Sequence, residues 1–163
     1  MSAPLSDVAA VLGRTPSGLF ILTAKNDQGA ETGLLASWVQ QAGFDPPVFT
    51  VAVNRKRYLN DWLAVSPQLA VNCVGESQKD LLGHFGKGFE PEAPAFEGLA
   101  TARTRSGLPV LADSLGWMAG DVIGSLDAGD HMVYAVRVTE ARSGPRLETE
   151  KPWVHLRKNG LNY

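Results

Sequence analysis

Apolar residues are grouped along this chain in short runs, separated by segments rich in glycine, asparagine and aspartate. Runs that are rich in β-branched and aromatic residues and lack helical spacing are typical of buried strands. Turn residues at 25–29 and at 127–130 each connect two such runs, which predicts two β-hairpins. The predicted strands are 19–24, 30–36, 48–53, 69–74, 115–124 and 131–138, with weaker ones at 96–104 and 153–156.

Apolar residues also recur at helical spacing in a few short stretches. In one, Ser6 and Asp7 stand where helix-capping residues are favoured, and in another Ser77 and Asp80 have the spacing of a capping box. No regular alternation of strands with long helices is visible, which excludes a doubly wound parallel sheet. The pattern favours a mainly β protein, an antiparallel barrel or sandwich with short helices. The predicted helices are 6–12, 58–63 and 77–85.

One segment, residues 33–47, departs from this regularity. It begins as an extended strand, loses the alternation of its side chains between Ala36 and Gln41, and ends in the pair Pro46–Pro47. Proline lacks a backbone donor and has a fixed φ, so a proline pair interrupts strand pairing. We predict that the rest of the chain folds around this segment and that its turn offers free peptide groups to a ligand.

Length and composition favour one globular domain spanning residues 1–163, because 44% of the residues are hydrophobic and 20% are charged. The formal net charge of −2 gives no reason to expect nucleic-acid binding. The N-terminal residues lack the pattern of a secretory signal, and no apolar run approaches the roughly 20 residues of a membrane span. We therefore expect a soluble cytoplasmic protein that binds neither nucleic acid nor membrane.

Several kinds of chemistry find no support in the sequence. The histidines are isolated from one another, and the single cysteine, Cys73, lies in an apolar run typical of a buried packing residue. No metal site is therefore expected. Ser37 lies in LASWV rather than in the GxSxG turn of hydrolases, and neither the GxxxxGK nor the GxGxxG phosphate-binding motif occurs.

Two features suit a planar, anionic ligand, and each also has a simpler structural interpretation. The basic segment 54–57 follows a predicted strand and offers guanidinium groups and free amides to a phosphate, or it is a solvated surface turn. Trp38, with Gln40 and Gln41 beside it, offers an aromatic wall and amide donors to a heterocycle. Alternatively, Trp38 is a tryptophan of the core.

Two further polar positions are ambiguous. Asp130 and His131 stand at a predicted hairpin tip, where they form either an acid–base pair, a ligand-gating group, or an exposed turn. Asn72 lies inside an apolar strand and must be hydrogen-bonded if it is buried, either to the protein or to a ligand. The residues alone do not separate these interpretations.

Taken together, the ordered motifs along nearly the whole chain resemble the flavin reductase family, whose members are FMN-binding split-barrel proteins that reduce flavin with NADH or NADPH. GLFILTA resembles the family's first hairpin, LASWVQQAGFDPP its flavin-floor segment and NRKRY its phosphate loop. LAVNCV, GDH and RKNGLNY resemble further family motifs. SWVQQ, FDPP, HFGKGF and VHLRKNG are also similar to the flavin reductase domain at the C-terminus of cyanobacterial-type flavodiiron proteins.

This resemblance implies an antiparallel Greek-key split β-barrel that forms a homodimer, with FMN or FAD in a groove at or near the subunit interface. Residues that would face the flavin ring, largely through backbone groups, are Leu35, Ala36, Ser37, Trp38 and Val39, with Gln41 donating to a flavin carbonyl. The phosphate would be held by Asn54, Arg55 and Arg57, with Lys87 closing over it. His131 would lie on the nicotinamide side and is the candidate catalytic residue, placing the substrate rather than shuttling protons.

The activity implied is that of an NAD(P)H:flavin oxidoreductase, which passes electrons to free flavin, a protein partner or oxygen. An alternative on the same barrel is a non-catalytic FMN-binding electron-transfer protein, and a third is a small-molecule binding module. The sequence does not distinguish NADH from NADPH, FMN from FAD, or tightly bound from exchangeable flavin. It is silent on the electron acceptor.

Overall fold

The computed structural model describes residues 4–162. Within this range the chain forms three short helices and eleven strands. In chain order they are α1 (Leu5–Arg14), β1 (Ser17–Gly18), β2 (Phe20–Lys25), β3 (Glu31–Ala36), β4 (Val39–Phe44), β5 (Pro47–Asn54), α2 (Leu59–Val65), β6 (Gln68–Cys73), α3 (Lys79–Phe85), β7 (Thr101–Arg103), β8 (Pro109–Leu111), β9 (Gly116–Asp127), β10 (His131–Ser143) and β11 (Val154–His155).

Seven of the described strands form one antiparallel sheet in the order β3-β2-β6-β9-β10-β5-β4. Its two edge strands, β3 and β4, are consecutive in the chain and are joined by Ser37 and Trp38 alone, so the sheet curls round to bring its edges together. The N–H of Ala52 in β5 donates to the carbonyl of Trp38 at 3.0 Å and ties this link to the sheet. The fold is the mainly β, antiparallel split barrel with short helices that the sequence predicts.

The main core fills the inside of the barrel. In β5 the side chains of Phe49, Val51 and Val53 are buried, while the residues between them are only partly buried, as the two-residue period of a strand requires. Leu59 and Leu63 of α2 pack into the same cluster. Full burial of each such side chain contributes about 1.5–3 kcal/mol to folding. The basic segment between β5 and α2 is therefore anchored by buried residues on both sides.

A second cluster lies where α3 packs against the sheet. Phe85 of α3 is fully buried with Ile21 of β2 and Val74. A Cβ at Gly33 would lie 2.6 Å from the Phe85 ring, so the absence of a side chain at this position in β3 allows the helix to approach the strand closely. This contact fixes α3, and the glycine-rich segment that follows it, beside the link between β3 and β4.

Helix α1 is held mainly by the C-terminal segment, residues 156–162. The N–H of Arg157 donates to the carbonyl of Gly13 at 2.8 Å, and that of Gly160 donates to the carbonyl of Ala9 at 2.7 Å. A Cβ at Gly13 would lie 2.6 Å from the carbonyl oxygen of Arg157, so only glycine permits this crossing. Helix α1 and the C-terminal segment are therefore tied together through their backbones.

The three predicted helices and both predicted hairpins are present, but the predicted helix caps are wrong. Ser6 and Asp7 lie inside α1, which has no side-chain cap. At α3 the Ser77 N–H donates to the Glu150 carboxylate at 2.6 Å, and the Ser77 hydroxyl accepts from Arg146 at 3.2 Å. These tertiary contacts replace the local capping box. None of the helices described has the length and apolar content to cross a membrane.

One predicted strand and one predicted turn also need correction. Within 96–104 only Thr101–Arg103 is a strand, because residues 96–99 form a turn closed by a hydrogen bond from the Leu99 N–H to the Phe96 carbonyl at 3.1 Å. The predicted turn of residues 36–41 is much shorter than expected, since β4 starts at Val39. This strand lies at the edge of the sheet with Gln40 and Gln41 exposed, so its polar composition conceals it in the sequence.

Candidate functional site

A cavity of about 250 Å³, called the first cavity below, lies beside the link between β3 and β4. Its walls combine apolar side chains from β3, β5 and α3 with a small number of polar groups, a composition typical of small-molecule sites. The structure brings six of the residues predicted from the sequence together around this cavity. They are Leu35, Ala36, Ser37, Asn54, Arg57 and His131.

A second cavity of about 380 Å³ adjoins the first, and Ala52, Asn54 and His131 line both. Trp38 from the link and Arg157 from the C-terminal segment form part of its remaining wall. The guanidinium carbon of Arg157 lies 5.1 Å from the centre of the Trp38 ring, a cation–π contact. The two cavities together form a cleft with two compartments, and His131 lies at the boundary between them.

Ser37 is the polar group that best tests whether a flavin suits this cleft. Its residue is 8% exposed, and its Oγ has no hydrogen-bond partner among the described residues. A buried hydroxyl without a partner costs about 1–3 kcal/mol. A flavin ring has hydrogen-bonding groups along one edge and an apolar face, so it fits a mostly apolar cavity whose wall holds a hydroxyl in need of a partner.

His131 begins β10 and is buried, so the interpretation as an exposed turn histidine is wrong. Its Nδ1 lies 2.8 Å from a carboxylate oxygen of Asp130, and its ring centre lies 4.8 Å from that of Trp38. The hydrogen bond with His131 holds the pKa of the Asp130 carboxyl below its usual range. These two contacts fix the orientation of the imidazole at the boundary between the cavities.

The basic segment is held in place by a residue that sequence reasoning missed. Asn60, in the first turn of α2, donates from Nδ2 to the carbonyls of Asn54 and Arg57 at 2.9 and 2.7 Å. The Tyr134 hydroxyl donates to the Asn60 Oδ1 at 2.9 Å. A polar residue three positions after the last arginine of the basic segment was the available signal in the sequence. With its backbone fixed in this way, the segment presents Arg57 to the first cavity.

Arg55 and Arg57, the two arginines of the basic segment, make different contacts in the structure. The Arg55 guanidinium donates to the carbonyl of Gly129 at 2.7 Å and forms an ion pair with Asp127 at 2.5 Å, so it binds the tip of the β9–β10 hairpin. The hydrogen bond that Arg55 donates to the Asp127 carboxylate lowers the pKa of that carboxyl. Arg57 instead donates from Nη1 to the backbone carbonyl of Lys87 at 3.0 Å. Arg55 and Lys87 are not among the residues that line the first cavity.

Three other predicted residues lie outside the first cavity. Trp38 lines the second cavity. The Val39 side chain packs into the main core. Gln41 is exposed on β4, with its Nε2 3.4 Å from the carbonyl of Gly43. A ligand in the first cavity would therefore be close to the link itself rather than to β4.

Two ambiguous positions have structural explanations. Asn72 is fully buried; its Nδ2 donates to the carbonyl of Ile21 at 2.9 Å and its Oδ1 accepts from the Leu111 N–H at 2.7 Å. Both bonds are within the protein, so the structure favours the structural interpretation over the ligand-binding one. Burial raises the pKa of the Cys73 thiol, which suits a packing residue rather than a nucleophile.

The chain is similar to known proteins in both sequence and fold. Residues 12–160 match the family described as "Flavin reductase like domain". Diflavin flavoprotein A 1 of Synechocystis sp. is 36% identical over 159 residues, which make up 97% of this chain and 27% of that protein. The chain thus spans about a quarter of the length of this relative.

Solved structures share the fold at low sequence identity. The NADH:FAD oxidoreductase SgcE6 of Streptomyces globisporus superposes with a TM-score of 0.81 at 19% identity, covering 91% of this chain and 87% of its own. The styrene monooxygenase flavin reductase of Pseudomonas putida S12 has a TM-score of 0.76 at 21% identity, covering 91% of this chain and 92% of its own. Because the family match extends over nearly the whole chain, this chain belongs to the flavin reductase like domain family.

Proposed function

We propose that this protein is an NAD(P)H-dependent flavin reductase that binds FMN and passes electrons to a second flavin, a protein partner or oxygen. The observation that carries this proposal is the first cavity, where an apolar wall, a guanidinium and a buried hydroxyl with no partner among the described residues meet. Family membership supports it. The Streptomyces and Pseudomonas proteins that share the fold, an NADH:FAD oxidoreductase and a flavin reductase, support it as well.

The residues of the cleft would bind, orient and shield the reactants. Leu35 and the other apolar residues of the first cavity would exclude water from the ring, Ser37 would hydrogen-bond its polar edge, and Arg57 would hold the phosphate. Bound FMN would supply a two-electron carrier able to accept hydride from a nicotinamide. Such transfer depends on positioning more than on proton transfer, which suits a site whose histidine is held by Asp130 and Trp38.

The second cavity favours the enzyme over the electron-transfer alternative. A hydride donor must lie directly against its acceptor, and the second cavity adjoins the first with His131 lining both. His131 would place the nicotinamide substrate there. A protein that only exchanged electrons would need no compartment for a second nucleotide.

Anaerobic titration of the FMN-loaded protein tests this function. We expect NADH, NADPH or both to bleach the absorbance of oxidised flavin, and comparison of the two donors reveals which is preferred. If FMN is bound but only a chemical reductant such as dithionite bleaches it, the protein is an electron-transfer protein. Failure to bind FMN at all would refute both functions and leave the small-molecule binding module.

Other parts of the proposal remain predictions. The family resemblance implies a homodimer and FMN in preference to FAD, whereas the length, composition and apolar pattern of the sequence favour a single domain over residues 1–163 and a cytoplasmic location. Dimer formation is supported by large apolar side chains exposed on the sheet, among them Phe44 at 89%, Leu126 at 65% and Ile123 at 50%. Exposed apolar side chains of this size are often covered by a partner when they form one patch.

Ser37→Ala is expected to act in opposite directions on stability and on binding. Loss of a buried hydroxyl that has no partner should raise the free energy of unfolding of the ligand-free protein by about 1 kcal/mol, whereas FMN affinity should fall several-fold. Denaturant unfolding and flavin fluorescence titration measure the two effects.

The matched control for this substitution is Ser114→Ala. Ser114 is also buried, at 1% exposed, but its Oγ donates to the carbonyl of Leu111 at 3.1 Å. Its replacement should therefore destabilise the protein by about 1 kcal/mol and leave FMN affinity unchanged. If Ser37→Ala destabilises the ligand-free protein as much as Ser114→Ala does, the Ser37 hydroxyl is already hydrogen-bonded in the absence of a ligand.

A further inference from the structure

Arg57 reaches across the cleft to the glycine-rich segment that follows α3. Its Nη1 donates to the backbone carbonyl of Lys87 at 3.0 Å. Arg57 lines the first cavity, and it also lines the small cavity beside it, together with Gly88. The guanidinium therefore does not extend freely from the loop; it is docked onto the backbone of residues 87–88.

Gly88 is the position over which the guanidinium passes. It has a φ of +76°, in the left-handed region that favours glycine. A Cβ built on Gly88 would lie 2.5 Å from Arg57 Nη1 and 3.4 Å from its Cζ. Both are atoms at the end of a flexible side chain. The first atoms that a side chain at position 88 would meet are therefore those of the Arg57 guanidinium, which it would displace.

We propose that Gly88 is a positioning residue for the phosphate end of the flavin site. By having no side chain, it lets the Lys87 carbonyl hold Arg57 at the wall of the first cavity, and this placement makes the site select phosphorylated flavin over riboflavin. The proposal rests on the proposed function. In this proposal Lys87 serves the phosphate site through its backbone carbonyl.

The chain offers a matched control at Gly98. This residue has the same φ of +76°, but a Cβ built there would have no atom within 4 Å. Alanine at either position places an L-residue in the left-handed region and strains the backbone to a similar extent. The two substitutions differ in the contact with Arg57. Any difference between them in ligand binding therefore reports on the guanidinium.

The experiment measures the dissociation constants of FMN and riboflavin by fluorescence quenching for the wild type, Gly88→Ala and Gly98→Ala. We expect Gly88→Ala to weaken FMN binding by roughly tenfold, the effect of a lost charged hydrogen bond, with riboflavin binding within about twofold. Gly98→Ala should leave both constants unchanged. An FMN-to-riboflavin ratio that is the same in both variants would overturn the proposal.

A double substitution separates an effect through Arg57 from a general disturbance of the loop. In an Arg57→Ala background, Gly88→Ala should weaken FMN binding no further; a second loss of similar size would show that Gly88 acts by another route. If the alanine variant folds poorly, Gly88→Asn and Gly98→Asn give the same comparison, since asparagine tolerates positive φ better. A wild-type protein that binds neither flavin refutes the proposed function itself, and with it the role of Gly88.

Discussion

Replacing Arg57 by alanine should weaken FMN binding by about 10- to 100-fold and leave riboflavin binding within about twofold. A charged hydrogen bond contributes about 1.5–3 kcal/mol, and each 1.4 kcal/mol corresponds to a factor of ten. Arg57 lines the first cavity, and its Nη1 is held by the Lys87 carbonyl. Riboflavin has no phosphate, so its affinity should not depend on this guanidinium. Fluorescence titrations with both flavins measure the difference.

Arg55→Ala is the control for this prediction. The two arginines belong to one basic segment, but the Arg55 guanidinium is bound to Asp127 and to the carbonyl of Gly129. Its removal should loosen the hairpin tip and change FMN affinity by less than about threefold, because exposed ion pairs contribute little. Equal losses in the two variants would show that both arginines contact the phosphate, as the family resemblance implied.

Replacing Asn72 by leucine should lower the free energy of unfolding by about 2–4 kcal/mol. Leucine has nearly the same shape but cannot accept the hydrogen bond from the Leu111 N–H or donate to the Ile21 carbonyl. An amide N–H that is left buried without an acceptor costs about 1–3 kcal/mol, and the second lost bond adds about 1. Denaturant unfolding measures the change.

The control for the asparagine is Gln28→Ala, which removes an amide from the exposed turn between β2 and β3. This variant should unfold within about 0.5 kcal/mol of the wild type. A small effect of Asn72→Leu would mean that water or a shift of β8 can satisfy the Leu111 N–H. FMN affinity should be unchanged in both variants, since Asn72 bonds within the protein.

Most of the fold could be predicted because its determinants are local. Turn residues and apolar runs are properties of adjacent positions, and they identified both hairpins and the principal strands. The helix caps failed because they depend on distant residues: Glu150 and Arg146 take up the groups of Ser77 that a capping box would use. Strand β4 was missed because an edge strand needs few apolar residues.

The site could be predicted only in part, because neighbouring residues of one type have different surroundings. Nothing in the letters of the basic segment distinguishes Arg55 from Arg57. In the structure the Arg55 N–H donates to the Asp130 carbonyl at 2.9 Å, next to the hairpin, whereas the Arg57 N–H closes a turn onto the Asn54 carbonyl at 3.0 Å. This turn directs the second arginine towards α3. That the Ser37 Oγ lacks a hydrogen-bond partner among the described residues likewise depends on tertiary packing, which no local sequence pattern indicates.

The link between β3 and β4 is both part of the barrel wall and part of the proposed ligand site, so ligand binding should affect the stability of the fold. Ser37 and Trp38 connect the two edges of the sheet, and the same residues line the two cavities. A ligand bound there contacts the link between the two edges of the sheet. By thermodynamic linkage, a ligand present at 100 times its dissociation constant adds about 2.7 kcal/mol to the stability of the folded form. The lifetime of the folded protein would then follow the supply of its ligand.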